Sequence, residues 1–108
     1  MLKTLQKVVI GPALSPASRE QITHWLIDNK TGDKKLRAGL PAGWRVGDKT
    51  GSGGHGSNND IGVLWPLGRA PVLVTSYLTQ TSADLAVRDR AIAEVGRLVV
   101  GLVARDGG

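Results

Sequence analysis

The sequence contains no cysteine and no phenylalanine, and it has only one tyrosine and three tryptophans among its 108 residues. Without cysteine it can form no disulfide, no thiolate nucleophile and no cysteine-ligated metal site. The two histidines, His24 and His55, are far apart and have no ligand-like spacing, so we expect no metal and no other cofactor. We expect His24 on the flank of a helix and His55 in a solvated turn.

Long apolar runs are also missing. No run approaches the ~18 residues that a membrane span needs, so we expect no membrane partner. Near the N-terminus, Lys3 and Lys7 precede the apolar residues Val8 to Ile10, an arrangement that slightly resembles a signal peptide. That apolar stretch is too short for one, and Gly11-Pro12 interrupts it. We therefore predict no signal peptide in this chain.

The composition is that of a globular protein, with 41% hydrophobic and 21% charged residues. A chain of 108 residues fits one small domain or part of a larger one. The net charge of +5 is compatible with nucleic-acid binding, but the basic residues are scattered, apart from Lys30, Lys34, Lys35 and Arg37. They are not interleaved with aromatic residues, so a nucleic-acid partner is the least favoured interpretation.

Helical signals lie at both ends of the chain. Leu2, Leu5, Val8 and Val9 predict a helix over residues 1–10, and Ser15-Pro16 predicts the N-cap of a second helix. We expect this second helix to pack through Ile22, Trp25 and Leu26, and to end at residues 29–32. A closing helix over residues 82–104 has a capping-box pattern at Thr81 to Asp84. Its predicted core-facing positions are Ala91, Val95, Leu98 and Leu102, with Ile92, Val99 and Val103 beside them.

Three strands are predicted between these helices, over residues 44–51, 60–65 and 71–79. Ser57-Asn58-Asn59 supplies turn residues for the first connection, and residues 66–69 supply them for the second. Short connections imply an antiparallel meander. Val72, Val74 and Leu78 should face one side of the sheet, and Leu73 and Tyr77 the other, so the sheet should be covered on both faces. The expected fold class is therefore α/β, with the meander flanked by two N-terminal helices and a long C-terminal helix.

Residues 44–56 are the most informative stretch of the sequence. Trp44, Val46, Asp48 and Thr50 alternate with Arg45, Gly47 and Lys49, and a glycine-rich reversal follows. An ammonium that we expect to be buried (Lys49), the hydroxyl of Thr50 and the backbone of Gly51 to Gly53 could together hold a carboxylate and an oxyanion. Glycine allows a ligand to approach backbone N–H donors closely. We call residues 49–53 the K-T-G segment.

K-T-G is one of the signature motifs of class A β-lactamases and penicillin-binding proteins. The longer context Leu40-Pro41-Ala42-Gly43-Trp44, Val46 to Gly53, Asn59-Asp60-Ile61 and Arg69-Ala70-Pro71 resembles the class A serine β-lactamases, most of all their extended-spectrum, cefotaxime-hydrolysing branch. The resemblance continues upstream through residues 14–19 and covers nearly the whole chain. It implies a β-lactamase/transpeptidase-like fold.

The nucleophile motif of this family, S-x-x-K, is missing. None of the serines is followed by a lysine three residues later, and the S-D-N triplet is absent too. Residues 1–108 therefore look like an incomplete C-terminal portion of the β-lactamase α/β domain, without the helical domain and the nucleophile region. We expect the chain alone to be inactive, and we expect it either to bind the missing N-terminal part or to self-associate. The full-length family implies a periplasmic or secreted location; for this chain alone the location is open.

The resemblance also implies roles for individual residues. Lys49 supplies positive potential for the carboxylate of a β-lactam antibiotic, with help from the hydroxyls of Thr50 and Ser52. The backbone N–H of Ser52 is one oxyanion donor, while Gly51 and Gly53 leave space for the ligand. In some members an arginine stands at the place of Lys35, so Lys35 is a weaker candidate for a second cation. A solvated lysine is an equally good interpretation.

The remaining candidates are structural or lie outside catalysis. Trp44 and Trp65 are expected in the core, and Asp48 and Asp60 are expected to make structural hydrogen bonds. Asp89 should pair with a neighbouring base. Beside the hydrolase, two other functions remain open: a remnant that binds β-lactams or related carboxylates without catalysis and, less favoured, a small basic nucleic-acid-binding domain.

Overall fold

A three-stranded antiparallel sheet lies between two helical layers. The structure is a computed structural model that describes residues 1–106. One face of the sheet carries α1 and α2, and the other carries a short 3-10 helix and α3. The elements in chain order are α1 (Leu2–Val9), α2 (Pro16–Asp28), the 3-10 helix (Leu36–Gly39), β1 (Arg45–Gly53), β2 (Ser57–Trp65), β3 (Val72–Leu78) and α3 (Leu85–Asp106). The predicted α/β meander with its flanking helices is confirmed.

The strands pair in the order β1-β2-β3, which leaves β1 at an edge of the sheet. Lys49 is opposite Ile61, and Thr50 is opposite Asp60. The second ladder places Asp60 opposite Ser76 and Val63 opposite Leu73. This register decides which side chains of β1 and β2 share a face, because side chains alternate along each strand.

Each face of the sheet has its own apolar core. On the α1 and α2 side, Leu5 and Val9 pack with Val63, and Leu26 and Leu73 complete the cluster. On the other side Val46, Leu64, Val74 and Ile92 surround the fully buried Leu36 of the 3-10 helix. The predicted opposition of Val72 and Val74 to Leu73 is confirmed. Trp44 and Trp65 each pack against one of these cores, also as predicted.

Close packing of the 3-10 helix on α3 depends on glycine. A Cβ at Gly96 would lie 2.6 Å from the carbonyl oxygen of Leu36. The segment from residue 32 to 43, which joins α2 to β1, therefore contains a buried structural element rather than only solvated turns.

Two predicted packing surfaces are wrong in part, although Val95 and Leu26 pack against the cores as predicted. In α3 the buried apolar side chains are Ile92 and Ala93, with Val95 and Val99 partly buried, whereas Leu98 and Leu102 are exposed, as is Ala91. The apolar positions along this helix form a stripe wider than one face, so the periodicity alone did not identify the packed side. In α2 the side chain of Trp25 is 67% exposed, although we expected it to pack.

The first hairpin turn also differs from the prediction. Ser57, Asn58 and Asn59 belong to β2, and the reversal occurs at Gly54 to Gly56. His55 and Gly56 adopt positive φ values of 59° and 70°, which allow the chain to reverse tightly. The expected position of His55 in an exposed turn is confirmed.

Of the two predicted helix caps, the one at the start of α2 is confirmed and the one at the start of α3 is wrong. The Ser15 hydroxyl accepts a hydrogen bond from the Ser18 N–H at 3.2 Å, and Pro16 is the first helical residue. At α3 the predicted capping box does not form, because the Thr81 hydroxyl accepts from the Ala83 N–H at 3.0 Å and the helix begins at Leu85. None of the helices within residues 1–106 is long and apolar enough to cross a membrane.

Candidate active site

The K-T-G segment forms the second half of β1, on the open edge of the sheet. Its partners across the ladder are residues 57–61 of β2. Every second backbone N–H of an edge strand points away from the sheet and has no strand to pair with. An edge position therefore gives this segment backbone donors that a ligand can reach.

Lys49 is exposed, contrary to the expectation that its ammonium is buried. Its Nζ donates to the carbonyl oxygen of Thr50 at 2.5 Å. Lys49 also lies at the border of a cavity of about 390 Å³ between α1, α2 and the sheet. This cavity is lined mainly by apolar side chains, among them Leu5, Val8, Ile22, Trp25, Leu26 and Ile61. Because Lys49 is exposed and lies at this border, its ammonium is accessible to an anionic group near the cavity.

The backbone of Gly51 to Gly53 is accessible, and packing does not require glycine there. A Cβ added at Gly51 would have Asn59 Nδ2 as its nearest neighbour at 3.8 Å, and one at Gly53 would have Ser57 Cβ at 3.8 Å. Both are ordinary van der Waals contacts, so a small side chain could be accommodated at either position. Ser52, between them, is exposed.

Thr50 is held by the loop that follows α2. Its Oγ1 lies 2.7 Å from the Oγ1 of Thr31. The Thr31 hydroxyl and backbone N–H both donate to Oδ1 of Asn29, at 2.8 and 3.2 Å. Asn29 in turn donates through Nδ2 to Oδ1 of Asp48 at 3.3 Å. A continuous chain of hydrogen bonds therefore runs from a buried carboxylate to the hydroxyl of the K-T-G segment.

Asp48 is completely buried directly before the K-T-G segment, and Arg37 provides its counter-charge. The Nη2 atom of Arg37 lies 2.9 Å from Asp48 Oδ1. Arg37 also donates to the carbonyl oxygen of Ile27 at the end of α2, at 3.3 Å. The pair thus links α2, the 3-10 helix and β1, which agrees with the expected structural role of Asp48.

Asp60 lies beside Asp48 on the neighbouring strand and is also completely buried. One of its oxygens, Oδ2, accepts from the backbone N–H of Leu36 at 3.2 Å. Burial, followed by the hydrogen bond to and the charge of Asp48, raises the pKa of Asp60 to about 9. At neutral pH the Asp60 carboxyl is therefore protonated, and its proton serves the hydrogen bond between the two side chains.

Lys35 is neither solvated nor unpaired. Its side chain is buried, and Nζ lies 2.7 Å from Asp89 Oδ1 of α3. The interpretation of Lys35 as a solvated lysine is wrong, and Asp89 pairs with this distant lysine rather than with Arg88 or Arg90 beside it in the sequence. The charge of Lys35 is largely compensated by this ion pair, which weakens it as a second cation for a ligand.

Comparisons with known proteins extend these observations to a family. Residues 1–103 match the model of the β-lactamase enzyme family. The fold superimposes on an ancestral class A β-lactamase with a TM-score of 0.93 and 65% sequence identity, covering 94% of this chain and 39% of that one. The chain belongs to the class A β-lactamase family.

Individual relatives show how much of a β-lactamase is represented. β-Lactamase L2 of Stenotrophomonas maltophilia is 51% identical over 104 residues, which are 95% of this chain and 34% of that protein. β-Lactamase CTX-M-25 of Escherichia coli is 44% identical over 99 residues, 92% of this chain and 34% of that protein. The chain thus spans about a third of the length of these β-lactamases. The proposed resemblance and the β-lactamase/transpeptidase-like fold are confirmed.

Sequence reasoning did not identify three residues that hydrogen-bond to Asp48 or Thr50 of β1: Arg37, Asn29 and Thr31. Each of them hydrogen-bonds to a residue of β1 that lies 11 to 19 positions later in the sequence, and no local sequence pattern indicates such a contact. Among residues 1–106, no group of three or more acidic or histidine side chains is placed to hold a metal ion.

Proposed function

We propose that this chain supplies the K-T-G wall of an active site that hydrolyses β-lactam amides, and that its own residues do not include the nucleophile. The observation that carries the proposal is the position of Lys49 to Gly53 on an accessible edge strand, with the exposed residue Lys49 at the border of a cavity. Family membership supports the reaction class.

Each residue of the K-T-G segment has a part in this proposal. The ammonium of Lys49 attracts the carboxylate of a penicillin or cephalosporin, and the hydroxyls of Thr50 and Ser52 contact it. The backbone N–H of Ser52 stabilises the oxyanion that forms when the lactam carbonyl is attacked. Removing one such donor typically costs about 2.7–4 kcal/mol of transition-state stabilisation. Gly51 and Gly53 leave room for the ligand because they add no side chain of their own to this edge of the sheet.

The nucleophile has to come from elsewhere. Class A chemistry proceeds through an acyl-serine that water then hydrolyses, and the serine is activated by a neighbouring base. No serine of this chain is followed by a lysine three residues later. We propose that a protein segment with an S-x-x-K motif completes the site by packing on the apolar cavity beside Lys49. A second copy of this chain could cover the same surface but would not supply the motif.

Location and the second candidate function follow from the same proposal. We propose a periplasmic or secreted location for the complete enzyme. The exposed Lys49 also favours weak, non-catalytic binding of β-lactams or similar carboxylates by the chain alone. That function requires the cation but no nucleophile.

Activity in trans tests the proposal. The chain alone should hydrolyse a chromogenic cephalosporin no faster than buffer, because it has no activated serine. Mixing it with a protein that carries the preceding part of a class A β-lactamase, including S-x-x-K, should produce hydrolysis. In this mixture Lys49→Ala should lower kcat/KM by about tenfold to a hundredfold, since a charge-assisted contact to the substrate is lost.

The matched control is Lys34→Ala, which removes an exposed lysine outside the K-T-G segment and should leave kcat/KM unchanged. Hydrolysis by the isolated chain at the rate of a complete enzyme would contradict the proposal. Equal rates for the wild-type and Lys49→Ala mixtures would exclude the proposed role of Lys49.

A further inference from the structure

We propose that Thr31 is a positioning residue whose hydroxyl oxygen accepts the hydroxyl proton of Thr50. Because that proton is engaged, a carboxylate ligand binds the K-T-G segment less tightly than it would if Thr50 could donate to it. The inference rests on the proposed function, because it concerns the same ligand and the same hydroxyl. It depends on the direction of each hydrogen bond in the chain that joins Asp48 to Thr50.

The contacts of the Asn29 side-chain amide fix which of its ends faces Thr31. The backbone N–H of Thr31 contacts one end of this amide at 3.2 Å, and a backbone N–H can only donate. That end is therefore the carbonyl oxygen, Oδ1. The other end, Nδ2, consequently faces Oδ1 of Asp48, an oxygen that also accepts from Arg37. The two contacts agree on a single orientation.

The orientation of Asn29 in turn fixes the direction of the hydrogen bonds that the Thr31 hydroxyl makes. It lies 2.8 Å from Asn29 Oδ1, which can only accept, so Thr31 donates its single hydroxyl proton there. In the 2.7 Å contact between the Oγ1 atoms of Thr31 and Thr50, the donor must then be Thr50. Thr50 consequently presents only lone pairs to any other group.

This arrangement opposes the binding of an anion. A carboxylate only accepts hydrogen bonds, so it cannot pair with Thr50 until the bond from Thr50 to Thr31 is broken. Lys49 attracts the same carboxylate regardless of that bond, because an ammonium offers three donors. Removing the acceptor at residue 31 should release the Thr50 proton to the ligand and tighten binding by about three- to tenfold, as expected for the net contribution of one hydrogen bond.

The experiment measures binding of benzylpenicillin and of its methyl ester to the full chain, from the NMR shifts of the backbone amides of residues 51–53 at fixed ionic strength. Thr31→Val should bind the carboxylate about three- to tenfold more tightly than the wild type, and the ester with unchanged affinity. Thr31→Ser keeps the hydroxyl and should restore the wild-type affinity. The spectrum of each variant also shows whether it is folded.

A second variant separates hydrogen-bond direction from simple support of the loop. Asn29→Ala leaves Thr31 in place but frees its proton, so that Thr31 can donate to Thr50 and the Thr50 proton becomes available. It should therefore also tighten carboxylate binding, whereas a merely structural role predicts weaker binding. The gain should disappear when Thr50→Val is combined with Thr31→Val. The matched control is Thr23→Val, which removes a hydroxyl that donates to the backbone carbonyl oxygen of Arg19 within α2.

The outcomes separate this inference from the proposed function. If Lys49→Ala abolishes binding but Thr31→Val and Asn29→Ala fail to tighten it, Thr31 does not hold the Thr50 proton, and the proposed function stands. If binding to the wild type does not depend on Lys49, or is absent at millimolar ligand for the wild type and for Thr31→Val alike, this inference and the proposed non-catalytic binding by the chain alone are both overturned. The activity of the mixture with an S-x-x-K protein tests the K-T-G wall separately. A gain shared equally by the methyl ester would overturn the role assigned to the carboxylate.

Discussion

Replacing Arg37 by methionine should destabilise the chain by about 3–5 kcal/mol, which is a large part of the stability of an ordinary small domain. Arg37 is the counter-charge of Asp48, a carboxylate with no exposed surface. Methionine fills part of the volume but leaves that charge buried and unpaired. The loss follows from desolvation of the remaining partner rather than from the attraction between the two.

Urea unfolding followed by tryptophan fluorescence measures this effect. Arg90→Met is the matched control, because Arg90 is an exposed arginine of α3, and it should change the free energy of unfolding by less than about 0.5 kcal/mol. Arg37→Lys should be intermediate, since lysine restores the charge but not the planar guanidinium that reaches both Asp48 and the end of α2. A loss below about 1 kcal/mol for Arg37→Met would show that the pair is not buried in solution.

Stability should fall as the pH rises from neutral towards 9, and Asp60→Asn should remove this dependence. Burial and the contact with Asp48 raise the pKa of Asp60 from 3.8 to about 9. Between these values the folded chain holds a proton that the unfolded chain has released. The free energy of unfolding then decreases with pH, by up to about 1.4 kcal/mol per unit, and levels off above about pH 9.

The asparagine variant imitates the protonated acid. Its amide can donate to Asp48 and accept from the Leu36 N–H, the two hydrogen bonds that Asp60 makes at neutral pH. The histidines are exposed and remain in both proteins, so they cancel in the comparison. Denaturant unfolding from pH 6 to 9 should give a falling free energy for the wild type and a nearly flat one for Asp60→Asn. Equal slopes would mean that Asp60 does not titrate in this range.

The sequence predicted those features that depend on local periodicity and on the residues that cap a helix. Alternation in β3 separated Val72 and Val74 from Leu73, and Ser15-Pro16 marked the start of α2; both are confirmed. The first turn was misplaced because Asn58 and Asn59 favour turns locally, but pairing with β1 and β3 takes both residues into the sheet. Tertiary pairing here outweighs local propensity.

The polar interior could be predicted only in part. Lys35 meets Asp89 across 54 residues of sequence, so no local pattern could show that it is buried. Asp48 and Asp60 were both expected to be structural, but their contact depends on the register that puts Thr50 opposite Asp60. Once this register is known, the two acids are diagonal neighbours on one face of the sheet. The K-T-G segment itself was located from sequence, whereas the exposure of Lys49 required the structure.

Intact-mass measurement after incubation with a penicillin tests the central claim most directly. The chain has six serines, Ser15, Ser18, Ser52, Ser57, Ser76 and Ser82, and none of them is followed by a lysine at the nucleophile spacing. We predict that this chain stays at its unmodified mass and that, in the mixture with an S-x-x-K protein, the acyl group is found on that partner. A penicilloyl adduct on any serine of this chain would contradict it.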